Sequence, residues 1–402
     1  MTTSGWFGSV LLLVTVLVAL PALVLFAQLL AAARRPDRPA EPTALALQRG
    51  PLAVLMPAHD EASGIAPAIA AVRAQLGPRD RLLVVADNCS DDTASVARAA
   101  GAEVVERSNS VLRGKGYALD HGVRWLERDP PDVVVIVDAD CIVAPNGLEQ
   151  LAQRCLATGR PVQALYLMHA PAGAGLGSRI AEFAWLVKNK LRPLGAAALG
   201  WPCQLMGTGM AFPWEVLRTA PLATGHLVED MQLGLDLAAA GRPPLFCPDA
   251  LVSSVFPSDA EGARAQRTRW EHGHLSVIAA VGPRMLWRAL TRRSWALLGM
   301  ALDLMVPPLA ALVLTLAMLC LVGAAWWLFT GDLRPAGVAA AALVLLGASV
   351  VLAWQRGGRR IVTSKELLGL PLYVAAKIPL YVQLFTKRQI DWVRTKRDDG
   401  RP

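Results

Sequence analysis

Three stretches of the chain are almost free of ionisable side chains. Residues 1 to 33 contain none, Ala296 to Thr330 contain only Asp303, and Pro335 to Gln355 contain none. Crossing the roughly 30 Å of bilayer hydrocarbon takes about 20 apolar residues, so each stretch is long enough, and spans are predicted over 7–31, 299–328 and 336–354. Between 34 and 295 the pattern changes. Short apolar runs alternate with helix-period segments, the mark of parallel strands joined by crossover helices. Strands are predicted at Leu52–Met56, Leu82–Ala86, Glu103–Glu106, Val133–Val137, Val162–Leu167, Gly209–Phe212 and Leu251–Phe256. Helices are predicted from Gly64 to about Leu76 and over 91–100, 114–128, 179–192, 228–240 and 262–280. Val133–Val137 has no polar residue at all, as expected of a central strand buried on both faces.

The chain therefore divides into an N-terminal transmembrane helix (1–33), a water-facing α/β domain (34–295), two more transmembrane helices (296–355) and a basic C-terminal segment (356–402). Composition agrees: with 54% hydrophobic and 18% charged residues, the chain is too apolar for a wholly soluble protein and too charged for a bundle of spans. The 34–295 segment holds 28 Lys/Arg and 26 Asp/Glu, whereas 296–402 holds 12 and 6, so most of the net charge of +8 lies beside the membrane segments. A nucleic-acid function would want that charge on the globular domain and is excluded. The spans have almost no polar residues to line a path, which excludes a transporter.

Arg34, Arg35 and Arg38 follow the first span and mark its cytoplasmic end. The apolar run is too long for a signal peptide and lacks a positive n-region, so it reads as a retained anchor. The six cysteines show no CxxC or zinc spacing and fit a reducing cytosol. By parity the large domain is cytoplasmic, as in a multi-pass protein of a bacterial inner (plasma) membrane. Residues 367–386 are interrupted by Pro371, Lys377 and Pro379, and as a fourth span they would export Lys387, Arg388, Arg394, Lys396 and Arg397. An interfacial or re-entrant helix pair is therefore expected, with a fourth span as the alternative. Arg179–Arg192, with Ile180, Phe183, Trp185 and Leu186 set against Lys188, Lys190 and Arg192, reads as an amphipathic helix seating the domain on the membrane.

Ligands of such sheets sit beyond the C-terminal ends of the strands, and three neighbouring strand ends deliver carboxylates. They are Pro57-Ala58-His59-Asp60-Glu61, Asp87 through Thr93, and Asp138-Ala139-Asp140. An Asp after a strand often only caps the next helix. Two carboxylates ending an uncharged strand, however, repel one another unless a cation lies between them, and hard oxygens suit Mg²⁺ or Mn²⁺ on a diphosphate. Arg113-Gly114-Lys115-Gly116 opens the next helix with glycines and cations suited to an anion, or simply makes a basic turn. Gln266, Arg269 and Trp270 share a helix side by their spacing. Cys203–Met210 is Gly-rich, either an acceptor-site lining or an ordinary loop. A carboxylate at Asp230, near a helix start, also complements the helix dipole.

In these segments the chain resembles the family 2 glycosyltransferases of GT-A (Rossmann-like) fold, in particular the membrane-embedded branch that includes cellulose, chitin and hyaluronan synthases. The likeness covers roughly 50–280. Asp60 stands where the family usually has Asn, and Val228 where cellulose synthases commonly have Thr. It implies that Pro57, Ala58, Glu61, Asp87, Lys115, Asp138 and Arg269 bind the nucleotide-sugar, and that Asp138 and Asp140 of the DxD hold the metal. It further implies that Asp230, with Glu229, is the catalytic base of the Glu-Asp pair. Gln266 and Trp270 of QxxRW, with Gly207 and Gly209, would meet the acceptor. The expected activity is inverting transfer from a nucleotide-diphospho-sugar, with a UDP-sugar as donor and Mg²⁺ or Mn²⁺ as cofactor, to a growing polysaccharide or lipid-linked acceptor. Export or assembly subunits are expected partners. A catalytically inactive nucleotide-binding scaffold of such a complex is the alternative, though a pure binder has no use for a base.

Overall fold

The computed structural model of the chain describes residues 3–34, 49–226, 228–257 and 260–381; of residues 3, 4, 260, 261 and 263–265 only the backbone is described. The predicted roles of Arg35, Arg38, Lys387, Arg388, Arg394, Lys396 and Arg397 fall outside these residues. Two compact units emerge. One holds the residues up to Ala174 that follow Arg49, together with Pro202–Trp270; the other holds the N-terminal helix, Gly175–Trp201 and the residues from Glu271 onward. The sequence reads 34–295 as one domain, whereas 175–201 and 271–295 cluster with the apolar helices.

The first unit is built on an eight-stranded sheet. Its strands are β1 (Leu52–Ala58), β2 (Arg81–Asp87), β3 (Glu103–Arg107), β4 (Val133–Ile136), β5 (Ile142–Val143), β6 (Val162–His169), β7 (Met210–Pro213) and β8 (Leu245–Val255), in the order β3-β2-β1-β4-β7-β6-β8-β5. β1 pairs in parallel with β2 and with β4 (Leu55 opposite both Leu83 and Ile136), and β2 pairs in parallel with β3. Of these, β1, β2 and β4 are apolar runs buried on both faces, as helices on either side require. The sheet is mixed where the pattern predicted parallel pairing, since β7 runs antiparallel to β4 and β6, and β5 antiparallel to β8. Apolar periodicity fixes which face of a strand is buried but not its direction. β5 and the helix Gly147–Thr158 are elements that the hydrophobic pattern did not single out.

Two features of this sheet position the site. The helix Lys115–Leu126 lies close against β1, because a Cβ on Gly122 would stand 2.3 Å from Leu55 Cδ1. Its first residue, Lys115, is thereby brought to the C-terminal edge of the sheet. The antiparallel register places Met210 opposite Ile136, so the residues just before β7 lie beside those just after β4. The Gly-rich stretch and the DxD are neighbours for that reason.

In the second unit, the helices Thr3–Arg34, Leu309–Thr330 and Arg334–Arg356 are long and apolar enough to cross a membrane. The predicted 299–328 span is instead two helices, Trp295–Leu304 and Leu309–Thr330, separated at Pro307-Pro308, where the missing N–H groups and ring clashes end a helix. The predicted 179–192 helix is also divided, into Leu176–Leu186, a π-helical turn Val187–Leu191 and Arg192–Ala198. Ile180, Phe183 and Leu186 are buried in protein. Arg192 is buried too and donates to Asp303 Oδ1 at 2.8 Å, beside Gln28 Nε2 at 2.8 Å. That helix is therefore a packed element, not a free amphipathic face.

Candidate active site

The C-terminal edge of β4 is the centre of the site. Its backbone continues as Val137-Asp138-Ala139-Asp140, and the Asp138 N–H donates to Thr208 Oγ1 at 3.0 Å. Ligand atoms of Asp138, Asp140 and Cys141 lie within 4.8 Å of one another. Asp140 Oδ2 accepts from Ser254 Oγ at 3.2 Å and Oδ1 from Cys141 Sγ at 3.4 Å. Burial, followed by Asp140 and Asp138, pushes the Cys141 thiol well above its ordinary pKa, and a soft sulfur is a poor match for Mg²⁺ or Mn²⁺ beside two hard carboxylate oxygens. The donor set is then two carboxylates, hard oxygens of the kind that Mg²⁺ and Mn²⁺ take. Burial raises the Asp138 pKa and Asp140 raises it further, against the pull of Lys115; a divalent cation between the two carboxylates would relieve that repulsion. The residues fit such an ion.

Lys115 closes the centre from the other side. Its Nζ lies 2.5 Å from Asp138 Oδ1 and 4.0 Å from Glu229 Oε1, and donates to the Gly207 carbonyl at 2.7 Å. Burial works against the ammonium, but Asp138 and Glu229 outweigh it and hold the pKa above the ordinary lysine value. Glu229 and Asp230 open the helix Glu229–Ala239, where the macrodipole favours negative charge. Burial and then the neighbouring Asp230 push the Glu229 carboxyl up to about 7, with Lys115 opposing. Gly207, with φ at +89°, leaves the space between these groups open: a Cβ there would stand 3.3 Å from Asp230 Oδ2 and 3.6 Å from Lys115 Nζ. Lys115, Asp138, Asp140, Gly207, Glu229 and Asp230, from four segments of sequence, are thus brought to one place.

Gly209 does different work. Its φ is +65°, and a Cβ would meet Ala164 Cβ at 2.7 Å and Val252 Cγ2 at 2.9 Å, so its bare backbone serves close packing on β6 and β8.

A second group of predicted residues surrounds the ends of β1 and β2. Pro57 and Ala58 lie within β1, opposite Val85 and Ala86. Asp87 is nearly buried and paired with Arg107, whose Nη1 is 2.5 Å from Asp87 Oδ1, whose Nη2 donates to the Leu112 carbonyl at 2.7 Å, and whose guanidinium lies over the Tyr117 ring. The Glu61 N–H donates to Thr93 Oγ1 at 2.8 Å. Asp60 and Asp91 hold the two loops together: Asp60 Oδ1 accepts from the Ser90 N–H at 2.6 Å, and Asp91 Oδ2 from the Ala62 N–H at 3.1 Å. Gln266, Arg269 and Trp270 lie within the first three turns of the helix Ala260–Thr291; Gln266 is buried, and Arg269 and Trp270 are half-buried.

The sequence reading missed several residues that hold the site in shape. The fully buried Gln163 accepts from the Met206 N–H at 2.8 Å and donates to the Thr208 carbonyl at 2.9 Å, pinning the turn that carries Gly207. A polar residue inside the apolar run of β6 was the available signal. Thr208, Arg107 and Ser254 are likewise ordinary in sequence, and only their partners distinguish them.

Comparison with known proteins accords with this arrangement. Residues 49–273 match the model of the family "Glycosyltransferase like family 2". The chain is 33% identical over 197 residues to a glucosyl-3-phosphoglycerate synthase of Mycolicibacterium paratuberculosis, covering 44% of this chain and 57% of that protein. It is 25% identical over 252 residues to "Probable glycosyltransferase YdaM" of Bacillus subtilis, covering 56% of each. The chain thus spans about half the length of the curated relatives it matches. In fold it is similar to the mannosyltransferase PcManGT of Pyrobaculum calidifontis, solved with GDP-Man and Mn²⁺, with a TM-score of 0.52 and 18% identity over 85% of this chain and 99% of that one. With an α/β sheet of GT-A type and the family match over more than half its length, the chain belongs to the glycosyltransferase-like family 2.

Proposed function

We propose that the chain is an inverting glycosyltransferase that moves a sugar from a nucleotide-diphospho-sugar, with a UDP-sugar as the expected donor, to a membrane-proximal polysaccharide or lipid-linked acceptor. The observation that carries this reading is the convergence of Lys115, Asp138, Glu229 and Asp230 around Gly207. Asp138 and Asp140 would hold Mg²⁺ or Mn²⁺, which when bound supplies positive charge to the donor diphosphate. Lys115 adds a cation beside it, and Asp230 accepts the proton of the attacking hydroxyl. Pro57, Ala58, Glu61 and Asp87 frame the nucleoside, Arg269 neutralises the leaving diphosphate, and Gln266 and Trp270 face the acceptor. The names of the relatives support sugar transfer, and the Mn²⁺ recorded with the mannosyltransferase is the cation type that the Asp138–Asp140 donor set suits. Three apolar helices of spanning length among the described residues support a place in a membrane; a bacterial inner membrane, with the sheet domain in the cytoplasm, is the location that the basic residues beside the spans favour.

The test uses the full chain in bilayer nanodiscs, Mn²⁺ and a panel of UDP-sugars, with UDP release and product mass as readouts. Wild type releases UDP from one donor and yields a glycosylated product. Asp230→Asn keeps UDP affinity within about threefold, under ~0.7 kcal/mol, and slows transfer by at least about a hundredfold, within the range general-base catalysis contributes. A wild-type chain that binds UDP and Mn²⁺ but turns over no donor is a scaffold.

A further inference from the structure

The C-terminal segment from Ser364 to Tyr381 has its polarity turned inside out. Its described helical runs are Ser364–Leu367, Leu370–Ala375 and residues 378–381. Each described run is short, at most six residues or ~9 Å, against the roughly 30 Å of a bilayer core. Beyond Lys365 it carries two charges, and both are turned inward. Glu366 pairs with Arg179, whose Nη1 donates to its Oε2 at 3.1 Å. Lys377 Nζ lies 2.5 Å from Glu271 Oε1, and Tyr381 donates to Glu271 Oε2 at 2.6 Å, so both oxygens of one carboxylate are used. The opposite side is apolar and bare: Leu368 is 83% exposed, Leu372 79% and Ile378 48%. A charged residue within an apolar segment is placed inward and paired when the outer surface meets hydrocarbon, because an unpaired ion there costs several kcal/mol.

We propose that residues 364–381 form a lipid-facing strap, fastened to the protein at Arg179 and Glu271 and seated with Leu368, Leu372 and Ile378 among the acyl chains of one leaflet. Its second helix packs against Leu309–Thr330, a helix of spanning length that itself exposes Met318, Leu321 and Leu328. A second copy of the chain is the weaker occupant, because three side chains fall far short of the roughly 800 Å² per partner that a stable interface buries. The proposal rests on the membrane reading given above and adds the depth, orientation and fastening of this segment.

Nitroxide labels test it in the full chain, in a Cys89→Ser/Cys320→Ala background, reconstituted in phosphatidylcholine–phosphatidylglycerol vesicles. Labels at Leu368→Cys, Leu372→Cys and Ile378→Cys should collide with oxygen more than with water-soluble NiEDDA, and a label at Lys365→Cys should do the reverse. Leu321→Cys on the long helix serves as the reference. If Leu321→Cys reports hydrocarbon but the strap labels report water, the strap proposal fails and the membrane reading stands; if both report water, both fail. Exclusion of both reagents at Leu372→Cys would mean a protein cover, and the proposal fails again. The double variant Glu271→Gln/Lys377→Met removes the fastening without leaving an unpaired charge, and it should mobilise the label at Ile378→Cys. An unchanged spectrum there would refute Glu271 as the anchor.

Discussion

Glu229 sets a pH dependence that can be worked out in advance. Burial and Asp230 hold its carboxyl at about 7, against an ordinary 4.5. A carboxyl raised in the folded state binds its proton more tightly folded than unfolded. The stability that this group contributes is therefore fully present below pH 4.5 and is lost progressively as pH rises through 7. At 1.36 kcal/mol per pH unit, the ionised form carries a penalty of about 3 kcal/mol above pH 7. Glu229→Gln keeps the shape and removes the charge. At pH 5 it should melt with wild type, whose Glu229 is then neutral; at pH 8 it should melt higher, by ~5–10 °C for a domain of this size. The assay is a thermal midpoint series from pH 5 to 8 on both proteins in the same nanodiscs without added metal. Parallel curves, or a Glu229→Gln variant destabilised at pH 8, would refute the assignment of the buried titrating group to Glu229.

The remaining predictions concern neighbours of that carboxylate. Lys115→Met strips the cation that lies 2.5 Å from Asp138, so its melting point should fall more at pH 8 than at pH 5, where the carboxylates can take up protons; equal losses would show that Lys115 does not compensate them. Gly209→Ala places a Cβ 2.7 Å from Ala164 at positive φ and should cost roughly 2–5 kcal/mol in chemical denaturation. Gly207→Ala should cost about 1–2 kcal/mol for its backbone, with the larger loss in transfer rate because the methyl enters the space beside Asp230. Arg107→Met leaves the nearly buried Asp87 unpaired and should cost ~3–5 kcal/mol; adding Asp87→Asn should recover most of it, and a double-mutant cycle measures the coupling.

Hydrophobic patterning alone determined the broad architecture. Runs such as Leu52–Met56 and Val133–Val137 have only one stable use, as strands covered on both faces, and the long uncharged stretches have only one solvent that suits them. The strand-end carboxylates were visible too, because polar groups that interrupt apolar runs stand out without any knowledge of their neighbours, whereas the Glu-Asp pair stood out only through the family resemblance. Helix breaks at Pro307-Pro308 were written in the residues but were overridden by the apolar count. Tertiary structure decided what depends on direction and distance. Whether β7 runs with or against β4 leaves no trace in periodicity, yet that antiparallel register is what carries Gly207 and Thr208 to Asp138. Gly207 and Gly209 look alike in sequence, but one opens onto Lys115 and Asp230 while the other is wedged against Ala164 and Val252. Arg192 and Lys377 read as surface charges on amphipathic or interrupted segments and became partners of Asp303 and Glu271. A side chain's hydrophobicity is a property of the residue, whereas its partner belongs to the fold, and pairing across more than a hundred residues is fixed only when the elements pack.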